Sequence, residues 1–460
     1  MHTRKRMLVR RWLSVGLAIP FTSAALAVEP AAIRLETARL AADSEPPAST
    51  QEAPTEKSPA SQPAGADDAA AASQTTAAWP PGVLMDGLDA VGMGKPIRDL
   101  GLRAYGFVES GMTFELDGPG NHRAGLPLRS FESAKTHNLR LNQLMLFLDR
   151  PVDTNKSFDI GGTFTFLYGT DARLTHSAGL LDKQNHDVQP DIVQGYGEMW
   201  LKTGRDGQGF DLTFGKFFTP IGAESTAAAN TYLYSHGYLY NYAEPLTHTG
   251  VKLSYFFDPA DFVYLGVVRG WDVFNDNNDG ASFMGGFQFS SNDLVGANPR
   301  SQLAFNAIAG PEQTGEGWPG NRVLLNTVWT YHYTEKLTQV LSGDYGFQDD
   351  VPGALGERNV PAVRDSAWYG LAYYLNYVIN DYVSTTGRAE VFTDNHGVRT
   401  GYRGTFFEAT AGLGITPFPH DRYLKNLTIR PELRGDWSAN DSPFAREGQF
   451  TAAFDVVYKF

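Results

Sequence analysis

The sequence contains no cysteine among its 460 residues, which excludes disulfide bonds, thiolate metal ligands and cysteine-based catalysis. Basic residues are also scarce, since 38 Lys and Arg stand against 51 Asp and Glu, a formal net charge of -13. Phosphate binding depends on clustered Lys and Arg, and no basic run follows Arg11, so nucleic acid is not an expected partner. No run of about 18 consecutive apolar residues occurs, which excludes a membrane-spanning helix.

The N-terminus has the three-part layout of a secretory signal peptide. Basic residues between Arg4 and Arg11 precede the apolar run WLSVGLAIPF, and small residues at 25–27 supply a cleavage site. We therefore predict a signal peptide over residues 1–27. An uncleaved anchor is the alternative, but the apolar run is too short for one and Pro20 interrupts it.

Residues 28–99 are predicted to be a disordered periplasmic tether. Most of this segment consists of Ala, Pro, Ser, Thr, Gln and Glu. Such a composition cannot bury enough apolar surface to offset the entropy lost on ordering.

From residue 100 onward, the chain is a series of segments in which apolar and polar residues alternate. In NLTIRPELRGDW (426–437) the odd positions are mostly apolar, whereas the even positions include Arg430, Glu432, Arg434 and Asp436. A strand with this period places the charges together on a wet face. These segments are longer than the five or six residues usual for soluble strands, and they suit tilted transmembrane strands.

Aromatic residues near segment ends, such as Trp368 with Tyr369, indicate the girdles of a membrane barrel. Short turns alternate with longer polar loops, among them DDVPGALGERNVPAVRD (349–365). The number of turns and loops predicts about sixteen strands, within two either way. Residues 100–460 are therefore expected to have an all-β fold, a transmembrane antiparallel β-barrel with short periplasmic turns and long external loops. Such a barrel encloses water rather than a packed core.

The polar faces of the strands supply the candidate pore-lining residues, because charges are costly against lipid. They are Glu198, Lys202, Lys252, Arg388, Glu390, Arg430, Glu432 and Arg434. Opposed acidic and basic walls would favour small polar solutes over apolar ones. The alternative for each residue is pairing that only stiffens the wall.

The longest connection, residues 217–249, is rich in Tyr and contains the constriction candidates Glu224, His236, Glu244 and His248. Long loops tend to be functional or packed, so we expect it either to fold inward and narrow the pore or to form an external lid. Two histidines with two carboxylates could bind zinc, but their spacing is not that of a known site and favours hydrogen-bonded loop packing.

The segment NDNNDG partly matches the ligand spacing of a calcium loop through Asn275, Asn277 and Asp279. Its first position is Asn and no Glu follows at the required distance, so a solvated turn is favoured over a metal site. No catalytic motif is present, and we predict neither enzymatic activity nor a cofactor. A hydrolase assembled from separate strands is the remaining catalytic alternative.

The apolar alternation that ends the chain resembles the terminal strand of bacterial outer-membrane proteins, which the barrel-assembly machinery recognises. That resemblance implies that Tyr458 and Phe460 are an insertion signal. The stretches at 166–173, 214–224, 240–255 and 269–280 resemble the OmpL-like β-barrel porin family. This second resemblance implies an outer-membrane porin that passes small polar solutes or ions, surrounded by outer-membrane lipid and assembled as a homotrimer.

Two functional alternatives belong to other classes. One is a non-conducting structural or adhesive outer-membrane barrel, for which the tether would contact the cell wall. The other is a secreted soluble all-β carbohydrate-binding protein, which the strand length and the aromatic Phe460 disfavour.

Overall fold

The computed structural model describes residues 83–460 apart from 117–125, 127, 130, 132–135, 185, 313–319, 357–360, 440–442 and 445–447. The predicted signal peptide (1–27) and residues 28–82 of the predicted tether lie outside the described residues. None of the helices in the described ranges is both long and apolar enough to cross a bilayer.

Sixteen strands form one closed antiparallel barrel in which sequence neighbours pair, as the alternation predicted. They are β1 (Arg103–Glu115), β2 (Arg140–Arg150), β3 (Phe158–Gly169), β4 (Gln189–Lys202), β5 (Gly209–Phe218), β6 (Thr247–Phe256), β7 (Phe262–Val268), β8 (Ser282–Ser290), β11 (Ser301–Pro311), β12 (Asn321–Thr334), β13 (Leu337–Leu355), β14 (Pro361–Asn380), β15 (Val383–Asp394), β16 (Gly404–Ile415), β17 (Leu427–Ser438) and β18 (Gly448–Lys459). A small hairpin of β9 (Leu294–Val295) and β10 (Asn298–Pro299) occupies the connection between β8 and β11.

Short helical turns lie in the connections. They are α3 (Ala172–Thr175), two 3-10 turns (Ala228–Asn230 and Leu424–Asn426) and a π-helical turn (Leu239–Ala243). The π-helical turn lies in the connection between β5 and β6, where the chain contacts the inner wall of the barrel.

The barrel closes between β1 and β18. Val108 lies opposite Tyr458 in this register. Beyond the last strand, the Phe460 N–H donates to Gly106 O at 2.8 Å and Gly106 N donates back to Phe460 O at 2.9 Å. The aromatic end of the chain is therefore part of the hydrogen-bonded seam.

The two faces of the barrel wall have opposite character. On β14, Leu371, Tyr373 and Leu375 face outward and are 48%, 39% and 38% exposed, whereas the alternating Ala372 and Tyr374 are buried. The same alternation places the polar residues of β15 and β17 inside and buried. An apolar outside and a polar inside are the arrangement of a barrel that faces lipid.

Side-chain oxygens close several of the predicted short turns. Thr334 Oγ1 accepts from the N–H of the residue that begins β13 and from the N–H of the residue before it, and Asn380 Oδ1 does the same at the start of β15. Asp258 Oδ1 accepts from Ala260 N and Asp261 N in the turn between β6 and β7. These local hydrogen bonds replace the main-chain hydrogen bonds between strands where the chain reverses, so the turn residues fix the strand boundaries.

The segment 349–365, predicted to be a polar loop, is largely strand. β13 and β14 continue to pair beyond the lengths of their neighbours, with Val351 opposite Arg364 and Pro352 opposite Val363. The loop prediction was wrong here because main-chain pairing overrides a polar, proline-containing composition once two strands are aligned. Residues 357–360 of this connection are not described.

Two short helices, α1 (Val83–Ala90) and α2 (Gly94–Asp99), lie in the segment predicted to be a disordered tether. Arg98 Nη1 donates to Asp89 Oδ2 at 2.9 Å, and Met85 is buried. Arg422 in the turn after β16 pairs with Asp86 at 3.0 Å. The prediction of disorder is therefore wrong for residues 83–99, because this part of the chain finds polar partners of its own and on the barrel.

Candidate functional site

The connection between β5 and β6 spans residues 219–246, close to the 217–249 bounds predicted for the longest connection. Gln143 Nε2 on β2 and Trp368 Nε1 on β14 donate to carbonyls of this connection at 3.0 and 3.2 Å. Asn326 Oδ1 on β12 accepts from one of its N–H groups at 3.2 Å. Because these strands stand on different sides of the barrel, the segment lies inside it. We call residues 219–246 the inner loop.

Five of the eight predicted pore-lining residues bind the main chain of the inner loop. Arg388, Arg430 and Arg434 each donate from Nη1 to a loop carbonyl at 2.6 Å. Glu432 Oε2 accepts from two successive loop N–H groups at 3.0 Å each, and Glu390 accepts from a third. Charged groups that would otherwise face open space thus satisfy buried backbone groups, which are costly to leave unpaired.

Glu224 is the centre of the contacts made by inner-loop side chains. It pairs with Arg388 at 2.8 Å and with His236 Nδ1 at 2.6 Å, and it accepts from the Tyr374 hydroxyl at 2.8 Å. The Gly237 N–H adds a further bond at 3.1 Å. Burial alone would raise the pKa of Glu224, but Arg388, His236 and Tyr374 together lower that pKa to about 2.

We expect acid to weaken the docking of the inner loop. A carboxylate whose pKa is lowered from 4.5 to about 2 stabilises the docked state fully above pH 4.5, and this stabilisation is lost as the pH falls towards 2. Chymotrypsin cleavage within the inner loop should therefore increase progressively as samples are pre-equilibrated from pH 6 to pH 2.5 and then assayed rapidly. Glu224→Gln should show more cleavage at pH 6 and a flatter response; an unchanged pH response would contradict the role of Glu224.

A chain of buried ion pairs runs along the wall behind the inner loop. Arg388 Nε lies 2.7 Å from Glu408, and Arg434 lies 3.3 Å from Glu408 and 2.8 Å from Asp436. Arg129, from the connection between β1 and β2, reaches Asp436 at 3.3 Å. The strand register explains the grouping, because Glu408 lies opposite Asp436 on adjacent strands.

The three other predicted pore-lining residues lie apart from this wall. Glu198 on β4 and Asp211 on the adjacent β5 share the inner face, and the Lys252 ammonium on β6 lies 5.6 Å from the centre of the Phe217 ring. Lys202, at the end of β4, donates to a carbonyl of the preceding short turn at 3.2 Å. Glu198 and Lys252 therefore lie within the lumen, whereas Lys202 lies at the end of the barrel that carries the short turns.

The four constriction candidates do not form one cluster. His248 lies on β6 rather than in the inner loop, with Nδ1 3.0 Å from Gly270 O and Nε2 3.0 Å from Thr219 Oγ1. Glu244 is buried against Asp344 on β13, and both burial and that carboxyl raise the pKa of Glu244 well above its usual range. Across the described residues, no three His, Cys, Asp or Glu side chains are placed to hold a metal ion.

The calcium-like segment is organised by its own hydrogen bonds. Asp276 Oδ1 accepts from Asn278 N at 3.1 Å and from Asp279 N at 2.9 Å. The residue that organises the turn is thus not one of the proposed ligands Asn275, Asn277 and Asp279. The segment is therefore a turn closed by side-chain hydrogen bonds.

Trp368 is not a girdle residue, so that prediction was wrong. It is fully buried on the inner face, whereas the adjacent Tyr369 is exposed on the outer face. Trp368 packs edge to face against Trp271, with ring centres 6.1 Å apart. The guanidinium carbon of Arg399 lies 5.2 Å from both ring centres, and that of Arg322 lies 4.6 Å from the Trp271 ring. Successive side chains of a strand point to opposite faces, so the outward position of Tyr369 already places Trp368 on the inner face.

Several residues that hold the inner loop were missed from the sequence. Glu408 and Tyr374 could have been found, because each occupies one of the alternate positions that face inward on its strand. Gln143 and Asn326 also occupy inward-facing positions, but they carry no charge that would distinguish them from other polar residues. Arg129 lies in a connection, where no periodic signal exists to indicate that it reaches the lumen.

The family described as "Putative beta-barrel porin-2, OmpL-like" matches residues 101–460. A search of the curated proteins found no match to the chain. Among solved structures, OprB of Pseudomonas putida is similar in fold, with a TM-score of 0.50 and 12% identity over 81% of this chain and 97% of that one.

Two further structures were found. The outer membrane channel DcaP of Acinetobacter baumannii has a TM-score of 0.49 and 11% identity, over 78% of this chain and 97% of that one. An anion-selective porin from Comamonas acidovorans has a TM-score of 0.48 and 9% identity, over 78% and 99%. The family match spans the whole barrel, from its first strand to the closing seam. The chain therefore belongs to the OmpL-like β-barrel porin family of the bacterial outer membrane.

Proposed function

We propose that the protein gives passive diffusion of small polar solutes or ions across the outer membrane, through a lumen that the inner loop narrows. The observation that carries this proposal is a closed barrel with a polar inner face, crossed by a loop that wall residues hold in place. A loop held in a fixed position would set the width of the passage that remains beside it. Such a passage admits solutes by size and charge without any catalytic step.

The test is single-channel recording of the refolded protein in a planar bilayer. Discrete current steps of reproducible size support the proposed function. A barrel that shows heat-modifiable migration and inserts into the bilayer but passes no current would contradict it.

Deleting residues 227–236 from the inner loop should raise the single-channel conductance by about twofold or more, because the segment occupies part of the lumen. Arg300→Gln, which alters an exposed ion pair at the turn end, serves as the matched folding and insertion control. Equal conductance in the deletion variant and the wild type would place the current path away from the inner loop.

A second candidate function is a structural barrel that does not conduct. The observation that favours it is the burial of small polar side chains on the inner faces of strands all around the barrel, including Ser254, Asn306, Thr330 and Ser342. Such side chains would be exposed along a wide water-filled channel. The same bilayer recording separates the two candidates.

The remaining expectations rest on the sequence. The signal peptide and export, the homotrimer, the absence of enzymatic activity and the recognition of Tyr458 and Phe460 by the barrel-assembly machinery stay predictions. The lipid-facing band has structural support in the exposed apolar residues of the outer face.

A further inference from the structure

The charges around the inner loop do not balance. Arg388 and Arg434 share Glu408, and each has a second carboxylate, Glu224 or Asp436. Every arginine of this wall is thus matched. Arg430 likewise pairs with Asp455.

Four further carboxyl groups, on the inner loop and on the wall, have no cationic partner within ion-pair distance among the described residues. They are Glu244 on the inner loop, Asp344 on β13, Glu390 on β15 and Glu432 on β17, and we call them the waist carboxyls. All four are at least nine-tenths buried. Within the ion pairs of this wall, the four carboxyl groups are therefore in excess over the arginines that hold the inner loop.

Three of the waist carboxyls also have an oxygen with no hydrogen-bond partner. These atoms are Asp344 Oδ2, Glu390 Oε1 and Glu432 Oε1. The other oxygen of each group is satisfied: by Asn326 for Asp344, and by N–H groups of the inner loop for Glu390 and Glu432. A buried carboxylate oxygen without a donor or cation is unfavourable, so a passing cation would find acceptors already in place.

Glu244 and Asp344 place carboxyl groups on both the inner loop and the wall. The two side chains are buried next to each other. Glu390 and Glu432 lie on the wall, where each accepts from N–H groups of the inner loop. Acidic oxygens therefore stand on the inner loop itself and on three strands of the wall.

We propose that the waist carboxyls make the passage beside the inner loop selective for small cations over anions. This inference rests on the proposed function and names its solute class. Acidic groups that line a narrow, weakly hydrated passage attract cations and repel anions. The mechanism is transient attraction rather than chelation, because the described residues contain no group of three ligands placed to hold a metal ion.

The test is the reversal potential of the wild-type channel in a KCl gradient, which gives the ratio of potassium to chloride permeability. We expect a preference for potassium. Glu390→Gln, Glu432→Gln and Asp344→Asn should each lower the permeability ratio by about twofold, and the triple variant should bring it close to unity. The amide replacements retain the carbonyl oxygen that accepts from the loop or from Asn326, so the loop contacts are preserved.

Asp365→Asn is the matched control, since it removes a carboxylate from the exposed outer part of β14 and should leave the ratio unchanged. Heat-modifiable migration verifies folding, and the single variants on three different strands keep the test valid if one of them fails to assemble. Chloride preference, or a ratio unchanged in the triple variant, would overturn the cation selectivity while leaving the channel function intact. An inserted barrel with no current would overturn both.

Discussion

Replacing Arg388 by methionine is expected to undock the inner loop, raise the single-channel conductance and lower the thermal stability of the barrel. The side chain of Arg388 is only 1% exposed and bridges Glu224 on the loop to Glu408 on the wall. It also donates to Ser235 O. Methionine would leave two buried carboxylates without this partner, and breaking a buried pair in this way costs about 3–5 kcal/mol.

Two measurements follow the effect of this substitution. Conductance reports whether the lumen widens, and chymotrypsin cleavage near Tyr234 reports whether the inner loop becomes accessible. Arg388→Lys should give an intermediate result, since it retains the charge but loses the planar fork that reaches both carboxylates. Arg300→Gln is the control for loss of an exposed arginine. Wild-type conductance and resistance to cleavage in Arg388→Met would show that Arg388 does not hold the loop.

Replacing Phe460 by serine is expected to lower the yield of assembled barrel severalfold. The main chain of Phe460 makes two hydrogen bonds to Gly106 across the closing seam, and its ring lies 6.3 Å from that of Tyr458. The main-chain bonds persist in the serine variant, so a loss of yield would be due to the aromatic side chain. Heat-modifiable protein in outer-membrane fractions is the measurement.

Phe450→Ser provides the matched control for the Phe460 variant. Phe450 is an aromatic residue on β18, 44% exposed on the outer face, but distant from the end of the chain. Assembly should be reduced much less by this substitution. Equal losses in the two variants would indicate a general need for outer-face aromatics and would contradict a specific terminal signal.

The barrel could be predicted because its signal is repeated and local. A period of two sets the faces of every strand, and Leu433 and Trp437 are exposed outside while Arg434 and Asp436 are buried inside, as their alternation requires. Turn residues such as Asn380 mark where each strand stops. Alternation cannot say how far two strands continue to pair, which is why the extension of β13 and β14 was missed.

The candidate site could be predicted only in part. Periodicity identified Arg388, Glu390, Arg430, Glu432 and Arg434 as inward residues, and loop length indicated a segment with a function. It could not show that these side chains bind the loop main chain, because the inner loop has no period and these five residues lie 152 or more positions away from the loop groups that they contact. Arg129 pairs with Asp436, 307 residues further along the chain, and no period indicates that contact either.

The way in which the wall holds the inner loop has an evolutionary consequence. Arginine and glutamate side chains contact loop carbonyls and N–H groups, which every residue type except proline supplies in full. Side chains at many loop positions can therefore diverge without releasing the loop. Gly237 is an exception, since a Cβ there would lie 2.3 Å from Glu390 Oε1. Selection can thus change the side chains that the inner loop presents inside the barrel, while the framework that positions them stays fixed.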